Sequence, residues 1–350
     1  MRKIPVLLAK SATQNAVSAQ RKTKDRKQPL VNPDVAAVAP PVMKKITIPP
    51  NAVVDVVSKW FKAARPRTVL LSLSGIMMGG LLAIAESPSV NLWTLLFCAL
   101  TAITLQILSN LANDYGDFKK GVDNAHRTGP QRTLQSGALT ERQMRMGITV
   151  TAVVALIFGA LLIFVFARLT WQELAVFAIM GVAAVLAAML YTLGKHPYGY
   201  RGLGDLFCFI FFGLVAVAGT YYLATKNIDF TVLLPATAMG CCSVAVLNIN
   251  NMRDYENDKV SGKNSLVVKI GLKKAFVYHC LLIGMAFLSF TVFLILKQAP
   301  LYRYAFWLLF PLFLRDLLII NKTLETGVPD PLLPKQVLHT FLLTLVFGVL

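Results

Sequence analysis

The stretch "SPSVNLWTLLFCALTAITLQILSNLANDYGD" (Ser87 to Asp117) decides the architecture. It carries no charge from Ser87 to Asn113 and then places two carboxylates, Asp114 and Asp117, within about one helical turn. A helix of about 20 apolar residues crosses the hydrocarbon core of a bilayer. Uncharged runs of that kind also lie between Arg67 and Glu86, Arg145 and Arg168, and Glu173 and Lys195. Three more lie between Asp205 and Lys226, Asp229 and Arg253, and Lys274 and Lys297. An eighth, Tyr304 to Ile320, is interrupted by Arg315 and Asp316, which near a helix end are expected to snorkel to the interface. A ninth, Val337 to Leu350, is short for a full crossing. With 56% hydrophobic and 15% charged residues, and a mean hydropathy of +0.61, the 350-residue chain is excluded as a soluble domain. The expected fold is all-α: a polytopic membrane bundle of about nine transmembrane helices.

The net charge of +18 does not point to nucleic acid, because the cations collect in alternate loops. Lys119, Lys120, Arg127, Arg132, Arg142 and Arg145 follow the second run; Lys195 and Arg201 follow the fourth. Arg253, Lys259, Lys263, Lys269, Lys273 and Lys274 follow the sixth, and Lys322 and Lys335 the eighth. The positive-inside rule puts these loops, and the acids among them, on the cytoplasmic side. Residues 1–55 form a separate basic segment, rich in Ala, Val and Pro and expected to be disordered, ahead of a membrane domain over 56–350. No uninterrupted apolar region follows Arg2 and Lys3, which argues against a secretory signal; a transit segment and a start at Met43 both remain compatible with the composition. The five cysteines lie in apolar runs without metal-ligand spacing and read as small buried residues.

The domain has two related halves. "NLANDYGD" (Asn110 to Asp117) aligns with "NNMRDYEND" (Asn250 to Asp258), so that Asn110, Asp114 and Tyr115 match Asn250, Asp254 and Tyr255 at an offset of 140. Asn110, Asp114 and Asp117 share one helical face, as do Asn250, Asp254 and Asp258. Two such helix ends can face each other across a central cavity, where uncompensated carboxylates would repel strongly. Aspartate at a helix C-terminus opposes the macrodipole, so local stability does not explain them. Oxygen ligands without histidine or cysteine disfavour zinc and suit Mg²⁺, which takes one or two carboxylates and completes its shell with water and phosphate oxygens. Arg127, Arg132 and Lys263 follow the acids on the same side, where they can grip a diphosphate. The remaining loop lysines read as solvated topology determinants, and the same reading competes with substrate contact for Arg65 and Arg67. A diphosphate at the mouth of an apolar cavity suggests a lipid diphosphate, whose departure would leave an allylic cation that a dry pocket must protect.

From about Trp60 onward the chain resembles the UbiA-type intramembrane prenyltransferases. The resemblance rests on "NLANDYGD", "NNMRDYENDKVSGKNSL", "GVDNAHRTGPQRTLQSGALT" and "YGYRGLGDLFCFIFFG". The last two are most similar to the subgroup that prenylates 1,4-dihydroxy-2-naphthoate in menaquinone biosynthesis. The resemblance implies a bundle around a lipid-open cavity in a bacterial inner membrane, with Mg²⁺ and diphosphate held by Asn110, Asp114, Asp117, Asn250, Asp254 and Asp258. It implies that Arg127, Arg132 and Lys263 contact diphosphate oxygens. The substrates implied are a polyprenyl diphosphate and 1,4-dihydroxy-2-naphthoate. An acidic aromatic acceptor needs a cation for its carboxylate and a base for its hydroxyl. "LYTLGKHPYGYRGLGD" offers Tyr191 and Tyr200, with Lys195 or Arg201 for the first role and Asp205 for the second. His126 and His196 lack defined partners. Other acceptors such as 4-hydroxybenzoate are rivals within the same chemistry. A phosphatidyltransferase would gather its acids in one helix block. A cation-coupled transporter would carry them near the midplane on interrupted helices.

Overall fold

A computed structural model describes residues 52–87, 89–124 and 128–349. The expectation for the N-terminal segment therefore falls almost wholly outside the described residues, apart from 52–55, which begin the first helix. That helix, α1 (Ala52–Ala64), is amphipathic. Trp60 and Ala63 pack against Leu108, Leu111 and Met144, while Val54, Val57 and Phe61 stay exposed. This arrangement suits a helix lying in a membrane interface.

Among the described residues nine segments are long and apolar enough to cross a bilayer. The first three are α2 (Pro66–Glu86), α3 (Leu92–Lys119) and α4 (Glu141–Leu161), which runs on through a π turn at Leu162–Phe166. Then come α5 (Trp171–Leu190) and a span built from α6 (Gly204–Cys208), a π-helical segment (Phe209–Gly219) and α7 (Thr220–Thr225). The sixth is α8 (Leu233–Arg253), followed in its loop by the short α9 (Tyr255–Val260) and α10 (Leu266–Ile270). The last three are α11 (Leu272–Leu296), a 3₁₀ turn (Leu301–Leu309) leading into α12 (Phe310–Thr323), and α13 (Leu332–Val349). Local chemistry sets several starts. Asn91 caps α3, and Thr140 with Gln143 and Thr170 with Glu173 form capping boxes ahead of α4 and α5. The ninth span begins five residues earlier than the uncharged run and reaches 18 residues, because Lys335 is tolerated in its first turn, close to the water boundary.

Helix α8 is the most enclosed span, packed against α11 and the π-helical segment, and α13 closes the bundle against α2. The four basic loops meet at one end. Asn257 donates to the Val122 carbonyl (2.8 Å), Thr128 to the Arg253 carbonyl (3.1 Å), Lys269 to the Arg201 carbonyl (2.5 Å), and Arg253 to Asp330 (2.6 Å). The opposite loops have their own ties, among them Asn227 to Glu86 (2.9 Å) and Lys297 to Asp229 (2.6 Å).

Asp316 departs from the expectation that it snorkels. Arg315 is exposed, but Asp316 is 1% exposed, with its carboxylate 2.8 Å from the Nδ1 of His339 on α13. Successive helical residues point about 100° apart, so the adjacent charges cannot share an environment. The aspartate faces the bundle, where burial requires a partner.

Candidate active site

The acidic blocks converge at the basic end. Helix α3 continues past its apolar run to Lys119, carrying Asp114 and Asp117 inward on its last turns. Gly116 permits this: a Cβ there would lie 2.5 Å from Thr192 Oγ1, so α3 approaches the loop after α5 as only glycine allows. That contact brings the Tyr200 hydroxyl to donate to Asp117 Oδ1 at 2.7 Å. On the other wall, α8 ends at Arg253 and α9 carries Asp258. Lys263, 4% exposed, bridges the walls with its Nζ 4.0 Å from Asp117 and 3.6 Å from Asp258.

Arginines hold the other two acids. Arg65 sits at the α1–α2 joint in a left-handed conformation (φ 50°), strained for a residue with a Cβ, and donates to Asp114. Asn110 supports that joint, donating to the Ala64 carbonyl (2.8 Å) and to Thr68 (2.9 Å). In the second block Arg253 grips Asp254 through two bonds of 2.8 Å, and its Nη2 also donates to Asn250 Oδ1 at 2.9 Å. Each asparagine thus supports the arginine that grips its block's first aspartate. Arg132 spans the first wall, 3.0 Å from Asp117, 3.5 Å from Asp114 and 3.2 Å from Asp123, while Thr133 donates to Asp114 at 3.0 Å.

Burial works against the charge on Arg132, but Asp117, Asp123 and Asp114 more than restore it; Lys263 is held charged in the same way by Asp117 and Asp258. The Asp258 carboxyl moves the other way. Burial pushes it up to about 6, Lys263 opposes the rise, and Asp254 and Asp117 add to it. Burial raises Tyr191 and Tyr200 as well, reinforced by Asp117, so both phenols stay neutral and able to donate.

Of the expected acceptor group, Tyr191 packs on Gly199 and Gly204 within the field of Asp117, Asp205 and Asp258, and Asp205 is buried with one carboxylate oxygen unpartnered. Lys195 and Arg201 are exposed and are not brought to these acids. Arg127 and His126 lie outside the described residues. Sequence reasoning missed Arg253, Thr133 and Asp330, offered Tyr200 in the acceptor loop without a role, and gave Arg65 no specific partner. Arg253 had a signal, since it stands inside the repeated acidic block three residues after Asn250. Asp330, in the loop between α12 and α13, had none.

Among the described residues no three His, Cys, Asp or Glu side chains converge as a metal cage. A cation that keeps waters and takes phosphate oxygens needs only one or two carboxylates, and the donors here are all hard oxygens. Asp258 Oδ2 is buried with no hydrogen-bond partner among them, a free acceptor pointing to a ligand such as a metal-bound water or the metal itself. Among the described residues five buried aspartates (Asp114, Asp117, Asp123, Asp254, Asp258) stand against Arg65, Arg132, Arg253 and Lys263, a balance that suits a cation bound together with a diphosphate. The residues fit Mg²⁺.

Fold and site together define an integral-membrane protein with a buried site of paired acids and bases at one end of a helical bundle. The chain belongs to the UbiA prenyltransferase family, which it matches over residues 72–323. It is 38% identical over 291 residues to the 1,4-dihydroxy-2-naphthoate octaprenyltransferase of Haemophilus influenzae, spanning 83% of this chain and 94% of that one. It is 38% identical over 289 residues to the Escherichia coli enzyme of the same name, spanning 82% and 93%. A solved UbiA homologue from Archaeoglobus fulgidus, bound to DMAPP and Mg²⁺, shares the fold with a TM-score of 0.59 at 16% identity, over 83% of this chain and all of that one.

A pH effect follows from Asp258. Burial pushes its carboxyl up to about 6, so a Mg²⁺ ion held there would have to displace a proton at and below that pH. The Mg²⁺ concentration giving half-maximal activity is therefore expected to rise as pH falls from 7.5 to 5.5, approaching tenfold per unit below 6. An Mg²⁺ titration at four pH values checks this, and a flat profile would remove Asp258 from the metal shell.

Proposed function

We propose that this protein transfers a polyprenyl chain from a polyprenyl diphosphate to 1,4-dihydroxy-2-naphthoate, releasing diphosphate and CO₂ and yielding a demethylmenaquinol. The single observation that carries the reading is the bridge from Lys263 to Asp117 and Asp258, which makes one charged site of two blocks 140 positions apart. The names of the 38% identical relatives support this acceptor. Mg²⁺ bound by Asp114, Asp117, Asp254 and Asp258 would neutralise the diphosphate and make it a better leaving group. Arg132 and Lys263 are charged and buried, positioned to bind its oxygens as the allylic bond breaks; we assign Arg127 the same role. Arg65 and Arg253 hold Asp114 and Asp254 in register and can follow the oxygens that replace them. The polyprenyl chain would extend between the spans, away from water.

On the acceptor side, Asp205 takes the proton of the naphthoate hydroxyl, and the neutral Tyr191 donates a hydrogen bond that orients the ring. Lys195 and Arg201 have no part in this arrangement. Lys195→Ala and Arg201→Ala are each expected to change the naphthoate KM by less than about threefold, within the range of an exposed charge; a tenfold rise in either would restore that residue to the acceptor site. The positive-inside rule supports a cytoplasmic site, and the bacterial relatives support an inner membrane.

The test uses purified protein in nanodiscs with a polyprenyl diphosphate and 1,4-dihydroxy-2-naphthoate, with and without Mg²⁺, and 4-hydroxybenzoate as the rival acceptor. A prenylated, decarboxylated naphthoquinol formed only with Mg²⁺ is the expected product. Product from 4-hydroxybenzoate alone would discard the acceptor and keep the chemistry.

A further inference from the structure

Beside the second acidic wall, two adjoining cavities of about 410 and 340 Å³ meet at Lys273, Leu324 and Glu325. They lie between the first turn of α11 and the end of α12, at the basic end of the bundle where helices leave the bilayer. Their apolar lining comes from Phe276, Leu324 and Ile270, and their cations are Lys273, Lys274 and Lys322, all exposed. Among the described residues Glu325 is the one acid that lines them. None of the three lysines makes an ion pair among the described residues, whereas Lys119, Lys263 and Lys297 elsewhere each have a carboxylate.

Helix α11 adds to the same field. It starts from Gly271 (φ 80°) with no side-chain cap and no acid in its first turn, so free backbone N–H groups and the positive end of its dipole join the lysines. Below the crevice, Val277 and Leu281 on α11 and Leu314 and Leu318 on α12 present exposed apolar side chains, as lipid-facing helices do. The chemistry that matches an uncompensated cationic cradle with an apolar floor at a bilayer boundary is a phosphate group carrying acyl chains.

We propose that this crevice binds the head group of an anionic phospholipid. The occupant also bears on the site. Tyr255 lines the second cavity and directly follows Asp254, and it packs with Ile270, Leu272 and Phe276 against Ile249, Met252 and Leu324. A bound head group therefore braces the loop that carries Asp258 and Lys263.

The test measures lipid retention by native mass spectrometry of the full chain, with phosphatidylglycerol and phosphatidylcholine added in turn. The double variant Lys273→Gln/Lys322→Gln is compared with Lys59→Gln/Lys62→Gln, which removes equal charge from α1 at the same end. The crevice variant is expected to bind phosphatidylglycerol about 10- to 30-fold more weakly, with the α1 variant close to the parent and phosphatidylcholine retained poorly by all three. Equal weakening in both variants would show diffuse attraction to basic loops and overturn the site. So would unchanged retention in the crevice variant. Displacement of the lipid by millimolar inorganic phosphate would identify a soluble anion as the occupant and overturn the lipid assignment. Binding is read without turnover, so failure of the transferase reading leaves this test intact.

Discussion

Asp258→Asn is expected to lower kcat/KM about 10³-fold while leaving the protein as stable as the parent, or more so, at pH 7.5. The activity loss follows from removing a charge that holds the leaving diphosphate, an effect of the size seen when one preorganised electrostatic group is deleted. The stability effect has the opposite sign because the ionised Asp258 is already disfavoured by burial and by Asp254 and Asp117. Its carboxyl titrates near 6 in the fold and near 4 in an unfolded chain, so its contribution to stability declines as pH rises through that window. Asn removes the decline. Asp117→Asn is expected to abolish activity similarly but to destabilise the fold, because Tyr200, Arg132 and Lys263 all converge on that carboxylate. Arg132 keeps Asp114 and Asp123, and Lys263 keeps Asp258, so the expected cost is only part of the roughly 3–5 kcal/mol of a fully broken buried pair. Single-turnover prenyl transfer and thermal unfolding of the same preparations check both halves. An Asp258→Asn protein with more than a tenth of parental activity would take that residue out of the site.

Asp316→Ala is expected to cost about 1–3 kcal/mol without touching the chemistry, since it leaves His339 inside the bundle without its carboxylate partner. The pair belongs to a polar layer shared with neighbouring helices: His279 lies within 3.3 Å of Asn248, and both Gln336 and His279 keep nitrogen atoms without partners among the described residues. Replacing both members, Asp316→Leu with His339→Leu, is expected to recover most of the loss, because an apolar pair of similar volume needs no partner. Thermal unfolding of the two single variants and the double variant in one detergent measures the coupling. A double variant no better than the sum of the singles would show that the aspartate and histidine act independently.

The fold and the outline of the site were legible for different physical reasons. A membrane span must satisfy its backbone internally and face lipid with apolar side chains, so length and charge placement alone mark it. The runs from Arg67 to Glu86 and from Lys274 to Lys297 left no other reading. Asp114 and Asp254 were legible because carboxylates at the ends of apolar helices have no local justification and recurred in matching surroundings. Arg65 was left open and Asp316 misjudged for one shared reason: an interfacial charge can face water or protein, and its neighbours in sequence do not say which.

By itself the sequence determined that about nine apolar segments are available to cross a membrane, that their charged connections alternate, and that two acidic blocks end related helices. These properties follow from the solvent each residue must meet and from helical periodicity, both local in the chain. Only the tertiary structure decided that Lys263 reaches both blocks, that Arg65 and Arg253 each hold one aspartate, that Tyr200 rather than Lys195 or Arg201 joins the site, and that Asp316 turns inward to His339. Those outcomes depend on how helices distant in sequence are rotated and packed, and rotation is settled by contacts such as Gly116 on Thr192 that no single segment contains.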